Sequence, residues 1–399
     1  MKKDFMFTSE SVTEGHPDKL CDIISDAIID HVLREDPFAQ IIAECAIATA
    51  IVFIAARFAS PARVDFGNIA RQTIGQIGYD QKAFNAKTCS IITSFREFAS
   101  AGRRDVDERS LSDDEIDRIT AKNQVTVFGF ACNQTSAFMP LPIWLAHKLA
   151  RKLTSVRLQS ADSNLAPDGK TQVGVEYCGG RPCRIHSITV ITSQSRPPEK
   201  GGPDSKKLYA DVMEQIIRPV FQDEEFRPDD RTRIFVNPDG PFIYGGPSIH
   251  SGLTGRKNAI DTYGEYSRHS GAALCGKDPS RIDRTGAYAA RYAAKNVVAA
   301  GLASACEVQL SYTIGIARPV SIQVETFGTG TVPDQRISEM LEQHFDFRPA
   351  GIIRQFNLRQ LPSTVKGGFY RKLAAYGQVG RMDIGLPWEL TDKAQLLKG

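Results

Sequence analysis

Three times along this 399-residue chain the apolar pattern runs in the same order: helix, two strands, helix. Residues 19–34 space Leu20, Ile23, Ile24, Ala27, Ile28 and Val32 at helical intervals. A strand-like run from Ile41 to Ala55 follows, then a helix over 68–77 and a strand over 88–95. The order returns as a helix over 142–155, strands over 171–178 and 184–193 turned by Gly179 and Gly180, a helix over 205–219 and a strand over 232–237. It returns again as a helix over 285–302, strands over 307–316 and 319–327, and a helix over 333–345. Such a repeat predicts an α+β fold of three structurally similar α/β-sandwich units in a pseudo-threefold arrangement. The expected divisions are an N-terminal unit over 1–100, a loop over 101–124, a central unit over 125–237 and a C-terminal unit over 238–399.

Two segments escape the repeat. Residues 96–124 are dense in charge and poor in apolar side chains, the composition of a mobile surface loop or lid. Residues 238–283 are the other, and from Gly252 on they are rich in glycine and serine and carry Arg256, Lys257, Lys277 and Arg281 close to Asp278 and Asp283. Cations on a flexible backbone, with acids able to hold a divalent ion, suit a polyphosphate. Taken alone, the stretch reads equally well as a solvated loop. It contains neither a Walker loop nor GxGxxG.

Composition narrows the classes further. With 42% hydrophobic and 24% charged residues the chain is an ordinary globular protein, and a net charge of +3 argues against nucleic acid or an anionic membrane as partner. No apolar run approaches the roughly 20 residues that span a bilayer, and the segment MKKDFMFTSE lacks the apolar core of a signal peptide. A cytoplasmic location is expected. The eight cysteines form no CxxC pair and no zinc-type spacing with histidine, which reads as reduced, mostly buried thiols.

Two further clusters carry chemistry. In SESVTEGHPDK, Pro17 stands where a helix begins, so His16, Asp18 and Lys19 surround free amides that favour an anion. Simple capping by Asp18 with His16 filling a turn is the alternative. PDGKTQV sets Asp168 and Lys170 just before a strand and by itself is a plain turn.

TSESVTEGHPDK, PDGKTQV, GLTGRK, DTYG, GKDPSRIDR, AYAARYAAKN, SYTIGIA, VETFGT and PWELTDKAQLL, in this order and over nearly the whole chain, make it resemble the S-adenosylmethionine synthetase (methionine adenosyltransferase) family. The resemblance implies three interlocked α+β domains, and a homodimer, possibly paired into a tetramer, with active sites between subunits. It also implies ATP and methionine or an analogue as substrates, and Mg²⁺ and K⁺ as cofactors. Carried over residue by residue, it sets His16, Asp168, Lys170, Phe242, Arg256, Lys257, Ala273 and Lys277 against ATP. Of these His16, Lys170, Arg256 and Lys277 act in catalysis, and Phe242 and Ile314 flank the adenine or the acceptor. Asp18 and Asp283 are implied to hold magnesium and Glu44 potassium. The family's reaction, attack of a neutral thioether sulfur on C5′ of ATP, needs no base but needs fixed positive charge around the departing triphosphate.

The acceptor positions depart from the family's pattern. Its GGE glutamate, the aspartate before GLTGRK and a loop glutamine correspond to Arg57, His250 and Phe98, and an aspartate of its GAGDQG corresponds to Asn123. Arg281 keeps the positive charge of the lysine that meets the methionine carboxylate. A guanidinium in place of a carboxylate sets like charge against an ammonium, at a cost of about 1–4 kcal/mol. Three readings follow: S-adenosylmethionine synthesis, the same adenosyl transfer to an anionic acceptor without an ammonium, or a triphosphatase or non-catalytic ATP-binding paralogue. Outward rotation of Arg57 or its pairing with Glu97 would restore methionine recognition.

Overall fold

The computed structural model describes residues 4–98, 105–159 and 163–398. The first third holds β1 (Phe5–Val12), α1 (Pro17–Glu35), β2 (Gln40–Ala48), β3 (Ile51–Ala59), α2 (Phe66–Ile77) and β4 (Ser90–Glu97). Next come α3 (Asp113–Asp117), β5 (Val125–Cys132), α4 (Leu141–Gln159), β6 (Leu165–Cys178) and β7 (Arg181–Gln194). Then α5 (Ser205–Val212) runs through a π-helical turn at Met213–Ile217 into α6 (Arg218–Phe221) and β8 (Arg233–Val236). The last third contains β9 (Gly252–Leu253), α7 (Asn258–Asp261), α8 (Ile282–Ala299), β10 (Ala305–Tyr312), β11 (Ser321–Glu325), α9 (Asp334–His344) and α10 (Pro349–Phe356).

The strands form three sheets, ordered β1-β6-β7-β8, β11-β10-β5 and β4-β3-β2-β9. Each sheet is built on one hairpin of the repeat and accepts one guest strand, always antiparallel to the hairpin's first strand. β1, which precedes α1, joins the central hairpin from Phe5↔Tyr177 to Val12↔Lys170. β5, which precedes α4, joins the C-terminal hairpin. β9, between the central and C-terminal hairpins, joins the N-terminal one at Ala46↔Leu253 and Ile47↔Gly252. The exchange is cyclic, first unit to second, second to third, third to first, and it realises the threefold order in hydrogen bonds rather than in residue identity.

Helix α8 lies deep in the largest apolar cluster and is buried around its whole circumference. Its cations are therefore paired inside: Arg284 with Asp26, and Arg291 and Lys295 with Glu389. A second apolar cluster fills the central unit between α4, the α5–α6 helix and the inner faces of β6 and β7.

Four expectations change. The run 41–55 is two strands rather than one, because Thr49, with φ of 51°, turns the chain into a hairpin. The strands expected over 307–316 and 319–327 stop at Tyr312 and Glu325. Cys178 and Cys183 are not free thiols but a disulfide, brought together where Gly179 and Gly180, both left-handed, close the β6–β7 hairpin; the six other cysteines are free and buried. The segment read as a free loop is pinned over 108–117. Glu108 is buried against Arg359, Ser112 and Glu115 form a reciprocal cap on α3, and Arg348 pairs with Asp113 and Asp117. Residues 99–104 lie outside the described residues.

Candidate active site

The N-terminal turn and the segment after β9 meet. Pro17 opens α1, and His16 caps it, its Nδ1 accepting from the Asp18 amide at 3.2 Å. Gly252 packs so closely on the Pro17 backbone that a Cβ there would overlap the Pro17 carbonyl. That approach brings Leu253 N within 3.1 Å of Asp18 Oδ1, and Arg256 Nη1 lies 3.9 Å from the same oxygen. Lys257 reaches Glu10 on β1 at 3.4 Å. Lys170 is cross-strand neighbour to Val12. Ala273 packs against Gly255, beside Arg256.

Asp168 belongs to the same cluster. Its Oδ2 accepts from Gly246 N at 2.8 Å, while its buried Oδ1 has no hydrogen-bond partner and stays open to a donor. Burial raises its pKa, opposed by the Gly246 amide and Lys170. A Cβ on Gly245 would crowd both the Phe242 ring and Asp168, so Phe242 stands at this carboxylate, and His250, hydrogen-bonded to Gly246 O, is exposed nearby. His16 is buried, and burial together with Lys257, Lys170, Lys19 and His250 lowers its pKa from 6.5 to about 3. The ring is neutral near pH 7. With Nδ1 accepting from Asp18 N, its proton belongs on Nε2.

A second cluster lies further along β2. Lys277 bridges Ile42, and its Nζ is 3.2 Å from Asp283 Oδ1, which also accepts from Asn123 Nδ2 at 2.8 Å. A cavity of about 420 Å³ is lined by Gln40, Ile42, Arg57, Phe98, Lys122, Asn123, Lys277, Arg281 and Asp283, among others. Ile314 stands exposed on a turn whose neighbours Gly315 and Ile316 hydrogen-bond Ala121, so it borders this cluster. Gln40 and Lys122 were not singled out in the sequence. Adjacency to Asn123 is the only signal that pointed to Lys122.

The two clusters do not merge within one chain. Gly252 and Leu253 meet β2 at residues 46 and 47 and Lys277 meets it at 42, so about 13–17 Å of strand separates them. Glu44 stands exposed on the open face of β2 between them and lines a neighbouring cavity with Arg57 and Arg96. Arg57 does not pair with Glu97: the register sets Glu97 beside Phe58, on the other face.

One arrangement that sequence could not show is a buried triad at Lys19, Asp22 and Asp261. The Lys19 ammonium contacts both carboxylates, with Asp22 Oδ2 at 2.9 Å. Burial works against its charge, but the two acids outweigh it and hold the lysine above its ordinary range. Asp22, Asp261 and Cys275 are spaced like metal ligands, yet the ammonium already occupies the position between the acids. The cluster ties α1 to α7.

Comparison with known proteins finds relatives along the whole chain. Residues 4–100, 118–242 and 244–390 match the models of the N-terminal, central and C-terminal domains of S-adenosylmethionine synthetase. An S-adenosylmethionine synthase of Microcystis aeruginosa is 50% identical over 408 aligned positions, covering 100% of this chain and 98% of the relative. Those of Trichormus variabilis and Gloeothece citriformis are 50% and 48% identical, each alignment covering 100% of this chain and 97% of the relative. With every domain matched and half of all positions shared along the full length, the chain belongs to the S-adenosylmethionine synthetase family.

Proposed function

We propose that this protein makes a sulfonium from ATP and methionine or a methionine-like thioether, and then cleaves the released triphosphate. Full-length similarity to proteins named S-adenosylmethionine synthase is the observation that carries the reading. A sulfur lone pair forms the S–C5′ bond, the C5′–O5′ bond breaks, and its electron pair leaves with the triphosphate. No proton moves in that step. Water then divides triphosphate into pyrophosphate and phosphate.

The residues serve the leaving group. Lys170, Arg256 and Lys257 in one cluster and Lys277 in the other supply fixed positive charge for the polyphosphate oxygens. Neutral His16 donates from Nε2 without adding a proton that the departing oxygens would have to share. Asp18 and Asp283 offer carboxylate oxygens, the hard donors magnesium takes, each beside a cation that also binds phosphate. Bound there, magnesium would neutralise charge on the chain of phosphates. Potassium fits less well: Glu44 is a lone carboxylate beside two guanidiniums.

Because one chain holds the clusters apart, the working site is formed by two copies, the His16 cluster of one facing the Lys277 cluster of its partner. The open face of the β4-β3-β2-β9 sheet supports this pairing. Leu253, Ala46, Phe53 and Ile92 form one row across all four strands, and Leu253, Phe53 and Ile92 are each at least 40% exposed.

Subunit complementation tests the reading. Lys170→Ala and Lys277→Ala should each lower methionine-dependent pyrophosphate release by about 10²–10³-fold. Co-expressed, they should recover about a quarter of wild-type activity, since half of randomly paired C2 dimers are mixed and each mixed dimer keeps one intact site. No recovery would show that both residues serve the same chain.

A further inference from the structure

Successive residues of a strand point to opposite faces. On β1, Glu10 meets Lys257 at the candidate active site, while Ser11 turns back toward α4, its Oγ 2.8 Å from His147 Nδ1. Segment 376–383 packs along the same helix, with the Tyr376 hydroxyl donating to Thr154 Oγ1 at 2.7 Å. A cavity of about 160 Å³ lies between helix and segment, lined by His147, Lys148, Arg151, Tyr376, Arg381 and Asp383, among others. Two buried donors in its lining have no partner among the described residues, His147 Nε2 and Arg151 Nε. His147 is only 6% exposed. Among the described residues the Ser11 hydroxyl makes no other hydrogen bond. If it donates to Nδ1, one N–H is left over, on Nε2; the opposite tautomer would strand both the hydroxyl proton and the Nε2 lone pair. Burial, with Arg151, Arg381 and Lys19, holds the ring well below its ordinary pKa against the Ile260 carbonyl, so it is neutral. Unpaired buried donors are costly, and two aimed at one cavity call for an acceptor.

The charge around the cavity calls for the same thing. Asp383 is shared by two guanidiniums, Arg381 through hydrogen bonds of 2.8 and 3.0 Å and Arg151 at 3.3 Å. Burial and the neighbouring Arg381 lower the Arg151 pKa, with Asp383 opposing. The other acids are spent. Glu224 is taken by Lys148 and Trp144, and Glu389 by Arg291, Lys295 and the Gly380 amide. Glu14 feels Arg381 together with Arg157 and Arg371, and burial raises its pKa. One positive charge is thus left over beside the two orphaned donors. At about 160 Å³ the space is too small for a nucleotide, since pockets for such ligands run to roughly 300–1,000 Å³.

We propose that this cavity is a second anion site, apart from the candidate active site, and that it holds a small tetrahedral oxyanion of the phosphate class between His147 Nε2, Arg151 and Lys148. Bound there, the anion fastens segment 376–383 to α4. Inorganic phosphate is the member of the class that the reaction proposed above releases, though the site stands whether or not that reading holds.

Trp144 lines the cavity, whereas Trp388, the other tryptophan, is buried against Tyr288, so Trp144 fluorescence reports occupancy. Purified protein, with Mg²⁺ and a saturating β,γ-imido analogue of ATP to fill the nucleotide site, would be titrated with inorganic phosphate at constant ionic strength. The fluorescence change should saturate with a Kd on the order of 1 mM, with sulfate competing and acetate not. Arg151→Met, at a partly exposed side chain, should keep its circular dichroism and weaken phosphate binding by about tenfold or more. His147→Gln, which sets an amide N–H near the place of Nε2, should bind within about threefold of wild type, whereas His147→Leu should lose about tenfold. A response that is absent, that acetate matches, or that Arg151→Met leaves in place overturns the proposal. So does a response seen only without the ATP analogue, which would put the phosphate in the nucleotide site. None of these outcomes bears on adenosyl transfer.

Discussion

His16 owes its chemistry to where its ring is held. Burial and the surrounding cations lower its pKa from 6.5 to about 3, so the folded chain refuses a proton that the unfolded chain accepts below pH 6.5. The associated stability is fully present above pH 6.5 and is lost as pH falls toward 3. His16→Gln removes that dependence. Between pH 6 and 4.5 the wild type should lose about 1.4 kcal/mol per pH unit more than the variant in denaturant titrations; parallel slopes would contradict the buried, neutral ring. At this scale the sequence was legible where local chemistry announces itself. HPDK and GLTGRK gave His16, Asp18, Arg256 and Lys257, which do stand together. Lys19 was not legible as an internal ion, because its two acids come from one turn away and from residue 261. Arg57 was legible as a reversed charge, but the Arg96 guanidinium beside it depends on strand register.

At the scale of elements, apolar periodicity located every long helix to within a few residues, since each buries one or more faces against a sheet. It could not say which strands pair. β9 is two residues long, and nothing in Gly-Leu marks it as an edge of the N-terminal sheet. Its position is set by how closely Gly252 sits on Pro17. Gly252→Ala should therefore force the backbones apart, costing about 1–3 kcal/mol in unfolding free energy and disturbing the Asp18–Leu253 contact. Gly271→Ala, where a Cβ meets open space, is the control and should shift stability by only a few tenths of a kcal/mol. Equal effects from the two substitutions would remove close packing as the cause. The charged segment before β5 was misread for a related reason. Composition reports solvation, whereas Arg348 and Arg359, more than two hundred residues away, supply the partners that fix it.

Over the whole molecule, the proposed two-copy site makes the exposed row of Leu253, Phe53 and Ile92 the face to test. Phe53→Asp combined with Ile92→Asp introduces two buried, unpaired charges per copy if that face is covered in the assembly. The double variant should elute as a monomer, keep its helical signal by circular dichroism and lose adenosyl transfer. A variant that stays paired and active would place the interface elsewhere. The fold class could be read from the order of elements because that order is local. The separation of the clusters could not, because it depends on the interlocking of three sheets.

That interlocking also has a consequence for synthesis. β1 leaves the ribosome well before its partner β6, which follows some 150 residues later, a delay of about 8–30 s at ordinary elongation rates. The N-terminal hairpin waits longer still for residues 252 and 253. During that interval two strand edges are exposed together with the apolar faces behind them, and such edges are templates for aggregation. The cell's chaperones meet this protein as three unfinished sheets, each waiting for a strand made at another time, and a transcript cut short at any unit boundary leaves no finished sheet in the N-terminal third.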